Sequence, residues 1–236
     1  ALGAEVDTIE VEWGSALDAR QVAERLTRRA YRAVVMVHNE SSTGVAYDIA
    51  SVGAVVRDTP ALLVVDSVSA LVGIEMKMDA WGADIVVSAS QKSLMCPPGI
   101  GLAAVSAKAW KVINRDDRVP TFFIDFRRAR ASLDKDETPF TPPVTLIYGL
   151  LEALRMIDEE GLANVQARHA RLAAALRAGV QALGVELYNR PNMSSATVIA
   201  MKVPSGLEAG VIVQHMRERY RTVIAGARHP SQTGKV

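Results

Sequence analysis

The sequence predicts an α/β protein built on a mainly parallel β-sheet that is flanked by helices. Short, continuous apolar runs alternate with helix-length amphipathic stretches, and a polar, small-residue loop follows most of the runs. Continuous apolar runs are typical of strands that are buried on both faces, as in parallel sheets. The pattern predicts strands over residues 6–11, 33–37, 62–65 and 85–88, and helices over residues 18–29 and 47–56.

The second half of the chain has a different pattern. After Pro142-Pro143, a long helical stretch covers residues 146–178 and is interrupted near Gly161. Strands over 185–188 and 197–203 and a helix over 211–219 are expected to follow. We therefore predict a large domain over residues 1–158 and a smaller C-terminal α/β domain over residues 159–236, each with a further part outside this chain.

Composition excludes several classes of function. The chain has 236 residues, 49% of them hydrophobic, and a formal charge of +1 whose positive residues are scattered, so a globular protein without nucleic-acid binding is expected. No apolar run reaches the ~20 residues of a membrane helix. The single cysteine, Cys96, excludes an internal disulfide framework and a multi-cysteine metal site. We expect a cytoplasmic protein without a bound metal.

Ligands of parallel sheets bind beyond the carboxyl ends of the strands, and two charged residues are predicted to lie there. Lys92 follows the predicted strand 85–88, and Asp66 ends the neighbouring one. An aspartate there suits the protonated pyridine nitrogen of pyridoxal phosphate, and a lysine suits its aldehyde. Taken singly, Lys92 also fits a surface turn, and Asp66 a strand-end cap.

Two loops near these residues also admit more than one interpretation. The loop over residues 38–44 offers hydroxyl groups that fit either a cofactor's oxygen atoms or the cap of the following helix. The turn Pro97-Pro98-Gly99 stiffens the backbone beside the lysine. The Gly-x-Gly at Gly99 and Gly101 has no third glycine opening a helix, which excludes a dinucleotide fingerprint.

Four motifs, in this order and spacing, identify a family resemblance. They are Glu40-Ser41-Ser42-Thr43-Gly44, Val65-Asp66-Ser67-Val68-Ser69, Ser90-Gln91-Lys92 and Pro97-Pro98-Gly99. Together they resemble the class V aminotransferases of pyridoxal-phosphate fold type I, in particular the alanine-glyoxylate and serine-glyoxylate branch. Trp81-Gly82-Ala83-Asp84, Phe140-Thr141-Pro142-Pro143 and Thr233-Gly234-Lys235-Val236 extend the resemblance over nearly all of the chain.

The resemblance implies pyridoxal 5'-phosphate as cofactor and assigns roles to the residues around it. Lys92 would form the internal Schiff base and act as the catalytic base, and Asp66 would pair with the pyridine nitrogen. Val68 would pack against the ring face, and Ser41 would contact the phenolic oxygen.

Phosphate and substrate contacts are implied in the same way. Gln91 would bind the cofactor phosphate, and Thr141 would reach the phosphate of a second subunit, so a homodimer with shared active sites is expected. Thr138 stands where the family has a tyrosine. Arg228 matches a substrate-carboxylate arginine of a pyridoxamine-pyruvate branch. The family's glycine-rich phosphate loop, its stacking aromatic residue and a later arginine lie outside these 236 residues.

The implied reaction moves an amino group from a small amino acid, serine or alanine, to glyoxylate or pyruvate. A lyase or cysteine desulfurase of the same fold is an alternative, since the cofactor supplies the chemistry. Desulfurases carry histidine before the lysine and a cysteine on a mobile loop, whereas here Gln91 precedes Lys92 and Cys96 is expected to fill space. A non-catalytic fragment or structural subunit is the third alternative.

Overall fold

The computed structural model describes residues 3–115 and 121–226. The strands are β1 (Ala33–Val37), β2 (Asn39–Glu40), β3 (Val45–Ala46), β4 (Leu62–Asp66), β5 (Ile85–Ala89) and β6 (Gly101–Val105). The helices are α1 (Ala19–Arg28), α2 (Ile49–Arg57), α3 (Met78–Trp81), α4 (Ala107–Ile113), α5 (Phe126–Leu133), α6 (Val144–Glu160), α7 (Leu162–Ala182) and α8 (Ala209–Tyr220).

Four strands form the main sheet in the order β1-β4-β5-β6. The first three are parallel, and β6 is antiparallel to β5. This mostly parallel sheet with flanking helices confirms the predicted fold class. The predicted strands 33–37, 62–65 and 85–88 are confirmed as β1, β4 and β5, and the two long helices meet at Gly161 as expected.

Three strand predictions were wrong. Residues 6–11 form no strand and pair with no strand of the described ranges. Residues 185–188 and 197–203 form no strand, although Leu187 and Met201 make an isolated antiparallel bridge. Two flanking backbone hydrogen bonds support this bridge, Tyr188 N to Ala200 O and Lys202 N to Glu186 O. Pairing between distant segments, rather than local alternation, decides whether such stretches become strands.

The main core lies between the sheet and the helices α1 and α2. Its buried members come from both helices and from β4 and β5: Val22, Ile49, Val52, Val56, Ala61, Leu63, Val65, Ala83 and Val86. A second cluster of Val72, Leu94, Ile157 and Val165 joins the loops after β4 and β5 to α6 and α7. The two long helices therefore support the loops at the carboxyl ends of the strands.

Side-chain caps fix where the first two helices begin. Asp18 accepts a hydrogen bond from Arg20 N at the start of α1, and Asp48 accepts one from Ser51 N at the start of α2. Because Asp48 caps α2, the hydroxyl groups of residues 41–43 do not serve as its cap. That interpretation of the 38–44 loop was wrong.

The edge of β1 that pairs with no described strand borders a groove of about 1020 Å³, which is also lined by residues 3–9 and 11. Val35, in the middle of β1, is 73% exposed on this side. Tyr31 and Arg25 hold the segment of residues 3–11, through hydrogen bonds to the Asp7 carboxylate and the Thr8 carbonyl. Among the described residues, no helix has the length and apolar character needed to cross a membrane.

Candidate active site

The carboxyl ends of β4 and β5 bring Asp66 and Lys92 to one edge of the sheet. Asp66 is the last residue of β4, and it is in register with Val37 of β1 and with Val87 of β5. Lys92 lies three residues beyond the end of β5. Both side chains are exposed. The two residues that the sequence singles out therefore follow adjacent parallel strands at the same edge.

The carboxylate of Asp66 keeps one oxygen available. Its Oδ1 accepts a hydrogen bond of 2.9 Å from Val68 N, which orients the carboxylate against the turn that follows β4. Within residues 3–115 and 121–226, Oδ2 has no hydrogen-bond donor and no cation beside it. An oriented carboxylate with one open acceptor fits the protonated nitrogen of a pyridine ring.

Lys92 has an anchored backbone and an unpaired amine. Its Nζ makes no hydrogen bond or ion pair with any residue in the part of the chain that the structure describes. The loop around it closes on Ser90, which is fully buried: Ser90 N donates to Ile100 O (3.0 Å), Ser90 Oγ donates to Pro97 O (2.7 Å), and Cys96 N donates to Ser90 O (3.1 Å). An accessible amine on a fixed loop is what covalent attachment of an aldehyde requires.

The loop that carries Ser41 is the turn of a short hairpin between β2 and β3. Gly44 N donates to Glu40 O at 2.9 Å, and Glu40 Oε1 accepts from both the backbone N (2.8 Å) and the Oγ (2.6 Å) of Ser42. Thr43 is buried, whereas Ser41 is exposed. The turn is thus held by its neighbours, and the Ser41 hydroxyl is left facing solvent.

A buried histidine lies beneath this edge. His38 is 3% exposed, its Nδ1 lies 3.2 Å from Ser67 Oγ, and its backbone N donates to Asp66 O at 2.7 Å. Its ring meets the ring of Trp81 edge to face, with centroids 6.2 Å apart. Burial lowers the pKa of His38 to about 4, so the imidazole is neutral at physiological pH.

The other predicted site residues are placed as follows. Gln91 is exposed beside Lys92, and Val68 is half-buried in the turn after Asp66. Thr141 is exposed in the connection between α5 and α6. Arg228 lies outside the described residues. Cys96 is buried and its thiol lies 3.6 Å from Leu146 O, which confirms that it fills space.

Four supporting residues were not found by sequence reasoning: Ser90, Asn39, Ser69 and Thr197. Asn39 Nδ2 donates to Ser69 Oγ at 2.9 Å, and Thr197 Oγ1 donates to Ser69 O at 2.8 Å. Thr197 is 128 residues away from Ser69 along the chain. No local spacing signals such a contact; the only available signal was the density of small polar residues in the motifs.

Comparison with known proteins places this site in a family. The chain matches the aminotransferase class-V family over residues 1–229. It is 41% identical to an L-aspartate–glyoxylate aminotransferase of Paracoccus denitrificans over 224 residues, which cover 92% of this chain and 56% of that protein. It is 38% identical to a serine–glyoxylate aminotransferase of Methylorubrum extorquens over 245 residues, which cover 100% of this chain and 61% of that protein.

A solved structure extends the likeness to the fold. The crystal structure of an alanine–glyoxylate aminotransferase from Nostoc sp. superposes with a TM-score of 0.94 at 29% identity, covering 99% of this chain and 62% of the other. The chain therefore spans somewhat more than half the length of these relatives. Class V aminotransferases are pyridoxal-phosphate enzymes, which confirms the cofactor predicted for the family. The chain belongs to the class V aminotransferase family.

Proposed function

We propose that this chain forms the greater part of a pyridoxal-phosphate-dependent aminotransferase. It would move an amino group from a small amino acid such as serine or alanine to glyoxylate or pyruvate. The observation that carries the proposal is the placement of two exposed groups at the ends of adjacent parallel strands: Lys92, whose amine has no partner in the described parts of the chain, and Asp66, whose carboxylate has one oxygen without a donor there. The relatives named for glyoxylate support this choice of acceptor.

Each residue has a distinct task in this proposal. When bound, the cofactor supplies an electron sink for charge that develops at the substrate's α-carbon. Asp66 Oδ2 would hold the proton on the pyridine nitrogen, and Lys92 would carry the cofactor and then move the α-proton as a base. Ser41 would contact the phenolic oxygen, Val68 the ring face, and Gln91 the phosphate.

A lyase or desulfurase is less well supported by this chain. A desulfurase needs an accessible thiolate that attacks sulfur, and the thiolate rather than the thiol is the reactive form. Cys96 is the only cysteine in the chain, and it is 6% exposed behind the Pro97-Pro98 turn. A nucleophilic role for it would require the loop around Lys92 to open.

The proposal is tested by locating the cofactor on the protein. Incubation with pyridoxal phosphate, reduction with borohydride and peptide mass spectrometry should find the label on Lys92. Lys92→Ala should lose the label and the visible absorbance of the linked cofactor. Lys111→Ala, an exposed lysine on α4, is the matched control and should keep both.

The outcome would contradict the proposal if the label appeared on another lysine, or if Lys92→Ala kept the wild-type spectrum. Substrate choice is then read from amino transfer by the labelled protein. Serine, alanine and aspartate should be compared as donors, with glyoxylate and pyruvate as acceptors. Cofactor binding without transfer to any acceptor would favour the non-catalytic alternative.

We further propose a homodimer in the cytoplasm, in which Thr141 reaches the cofactor phosphate of the second subunit. An exposed apolar cluster near Thr141 in the chain supports this: Phe122, Phe123 and Ile124 are 65%, 72% and 75% exposed. The ring of Phe140 stacks on Phe123, with centroids 4.8 Å apart. An apolar patch of this kind is typical of a surface that another protein covers.

The dimer is tested by sedimentation velocity with Phe123→Asp, which places a charge inside the proposed interface. We expect dissociation to monomers together with weaker cofactor retention, because the Thr141 contact is lost. Thr141→Val should weaken cofactor retention without changing the sedimentation coefficient. A Phe123→Asp variant that sediments as the wild type would contradict this surface as the interface.

A further inference from the structure

The segment of residues 194–200, from the C-terminal part of the chain, packs directly on the loop that carries Ser41. Ser195 N donates to Gly44 O at 2.9 Å, and Ser194 forms an antiparallel bridge with Val45. Gly44 has a φ of +66°, and a Cβ built there would lie 3.0 Å from Ala200 N. Two backbones thus meet with no room for a side chain between them.

Thr197 is the residue of this segment that reaches both site loops. Its Oγ1 donates to Ser69 O at 2.8 Å, and it accepts a hydrogen bond from Asn39 Nδ2 at 3.4 Å. Asn39 stands two residues before Ser41, and Ser69 follows Val68. One hydroxyl group therefore contacts the loop after β1 and the loop after β4.

The directions of the hydrogen bonds are fixed by counting donors. Ser195 Oγ accepts from the backbone N atoms of Thr197 and Val198, both at 3.0 Å, so its own proton is available for Thr197 Oγ1 at 3.1 Å. Thr197 then uses its single proton on Ser69 O. Ser69 Oγ donates to Asn39 O at 2.9 Å and accepts from Asn39 Nδ2. Each of the three hydroxyl groups thus donates its single proton to one acceptor.

Asn39 depends on this network for its orientation. It is 5% exposed, and its Oδ1 is buried without a hydrogen-bond partner in the described residues. Only its Nδ2 group, through Ser69 and Thr197, holds the amide in place. Since an unsatisfied buried acceptor favours rearrangement, removing one of these partners should let the amide and its loop move.

The loop that carries Lys92 also approaches this point. At Gly73, an added Cβ would overlap the methyl group of Thr197 and would lie 2.9 Å from the hydroxyl of Ser93, the neighbour of Lys92. Thr197 thus lies close to three loops, those of Ser41, of Asp66 and Val68, and of Lys92. Thr197 makes side-chain hydrogen bonds to residues of two of these loops, Asn39 and Ser69.

We propose that Thr197 is a positioning residue for the cofactor site. Its hydroxyl fixes the Asn39–Ser69 bridge and so sets the spacing between the Ser41 loop and the Asp66–Val68 turn. Thr197 itself would touch neither substrate nor cofactor. This role rests on the proposed function, because the spacing between the two loops matters only if a cofactor attached to Lys92 binds between them.

Two substitutions at position 197 separate the hydroxyl from the methyl group. Thr197→Val keeps the shape and removes the hydrogen bonds, whereas Thr197→Ser keeps the hydroxyl and removes the methyl. On the holoenzyme, we expect Thr197→Val to raise the dissociation constant of pyridoxal phosphate about tenfold and to shift the pH midpoint of its absorbance. Thr197→Ser should stay within about threefold of the wild type, since it restores the bonds.

A second measurement needs no cofactor. In the cofactor-free protein, the backbone amides of residues 39–45 should exchange with deuterium about tenfold faster in Thr197→Val than in the wild type or in Thr197→Ser. Equal exchange and equal cofactor affinity in the valine variant would overturn the proposal. So would a serine variant as impaired as the valine variant, since packing of the methyl group would then explain both.

The two proposals fail in different ways. If Lys92→Ala keeps the visible absorbance, the proposed function fails, whatever happens at position 197. If Lys92→Ala behaves as expected and Thr197→Val binds the cofactor like the wild type, only the positioning role fails.

Discussion

The buried His38 predicts a loss of stability at mildly acidic pH that can be assigned to one residue. The folded protein holds its pKa at about 4 by burial, against the ordinary value of 6.5. Between pH 6.5 and pH 4, His38 is therefore protonated in the unfolded chain but neutral in the folded protein. The free energy of unfolding contributed by His38 is fully present above pH 6.5 and falls as the pH drops towards 4.

The size of the effect follows from the same two values. One pKa unit corresponds to about 1.36 kcal/mol, so the whole contribution is about 3 kcal/mol. Between pH 7.5 and pH 5 the loss is about 2 kcal/mol, because at pH 5 the unfolded histidine is protonated and the folded one is still neutral. This is a substantial share of the 5–15 kcal/mol typical of a folded domain.

The assay is urea unfolding of the wild type and of His38→Asn at pH 7.5, 6.5, 5.5 and 5. Carboxylates also titrate towards the acid end, so the informative quantity is the difference between the two proteins at each pH. That difference should shrink by about 2 kcal/mol from pH 7.5 to pH 5. Ser67→Ala is the control: it removes the hydroxyl beside Nδ1 but keeps the imidazole, and it should retain the wild-type pH dependence. Parallel pH curves for the wild type and His38→Asn would refute the reasoning.

Two further predictions concern packing and a buried carboxylate. A Cβ at Gly53 would overlap the carbonyl oxygen of Trp81, so Gly53→Ala should lower the free energy of unfolding by about 1–3 kcal/mol. Gly179→Ala in α7, where a Cβ meets nothing within 4 Å, should leave it unchanged or raise it by up to about 1 kcal/mol; equal denaturation midpoints for the two variants would contradict this. Asp84 is 5% exposed and its Oδ2 accepts from Leu63 N at 3.0 Å, so Asp84→Ala, which removes this acceptor, should cost about 1–3 kcal/mol in urea unfolding, and a cost below about 0.5 kcal/mol would contradict the prediction.

The central strands could be predicted because parallel strands are buried on both faces and therefore appear as continuous apolar runs. The strands β4 and β5 lie inside the sheet and contain such runs, and β1, at the edge of the described sheet, is also a continuous apolar run although its Val35 is 73% exposed. The antiparallel β6 was not predicted: it consists of glycine, leucine, two alanines and valine after a proline-rich turn, and its pairing with β5 decides the conformation. The segment of residues 6–11 shows the converse, since a strand was predicted there and the segment pairs with no strand among the described residues.

In the site, too, the features that depend on local sequence could be predicted, and those that depend on contacts between distant residues could not. Asp66 and Lys92 could be paired from the sequence because both follow predicted parallel strands, and such strands end at one edge. The hairpin around Ser41 could not be predicted, because β2 and β3 have only two residues each and so show no recognisable strand pattern. The contacts of Thr197 with residues 39 and 69 span 158 and 128 positions, and no local pattern encodes them.

The proposed site separates residues that would bind the cofactor from residues that hold the loops. Asp66, Lys92 and Ser41 are exposed and keep polar atoms without partners among residues 3–115 and 121–226, so a ligand could meet them without breaking a hydrogen bond seen within those residues. Asp66 and Lys92 each have a buried neighbour in the chain that makes structural hydrogen bonds: Ser67 beside Asp66, and Ser90 two residues before Lys92. Fixed loops cost a ligand less ordering entropy on binding. A substitution in the buried set should therefore weaken cofactor binding even though the substituted residue never touches the cofactor.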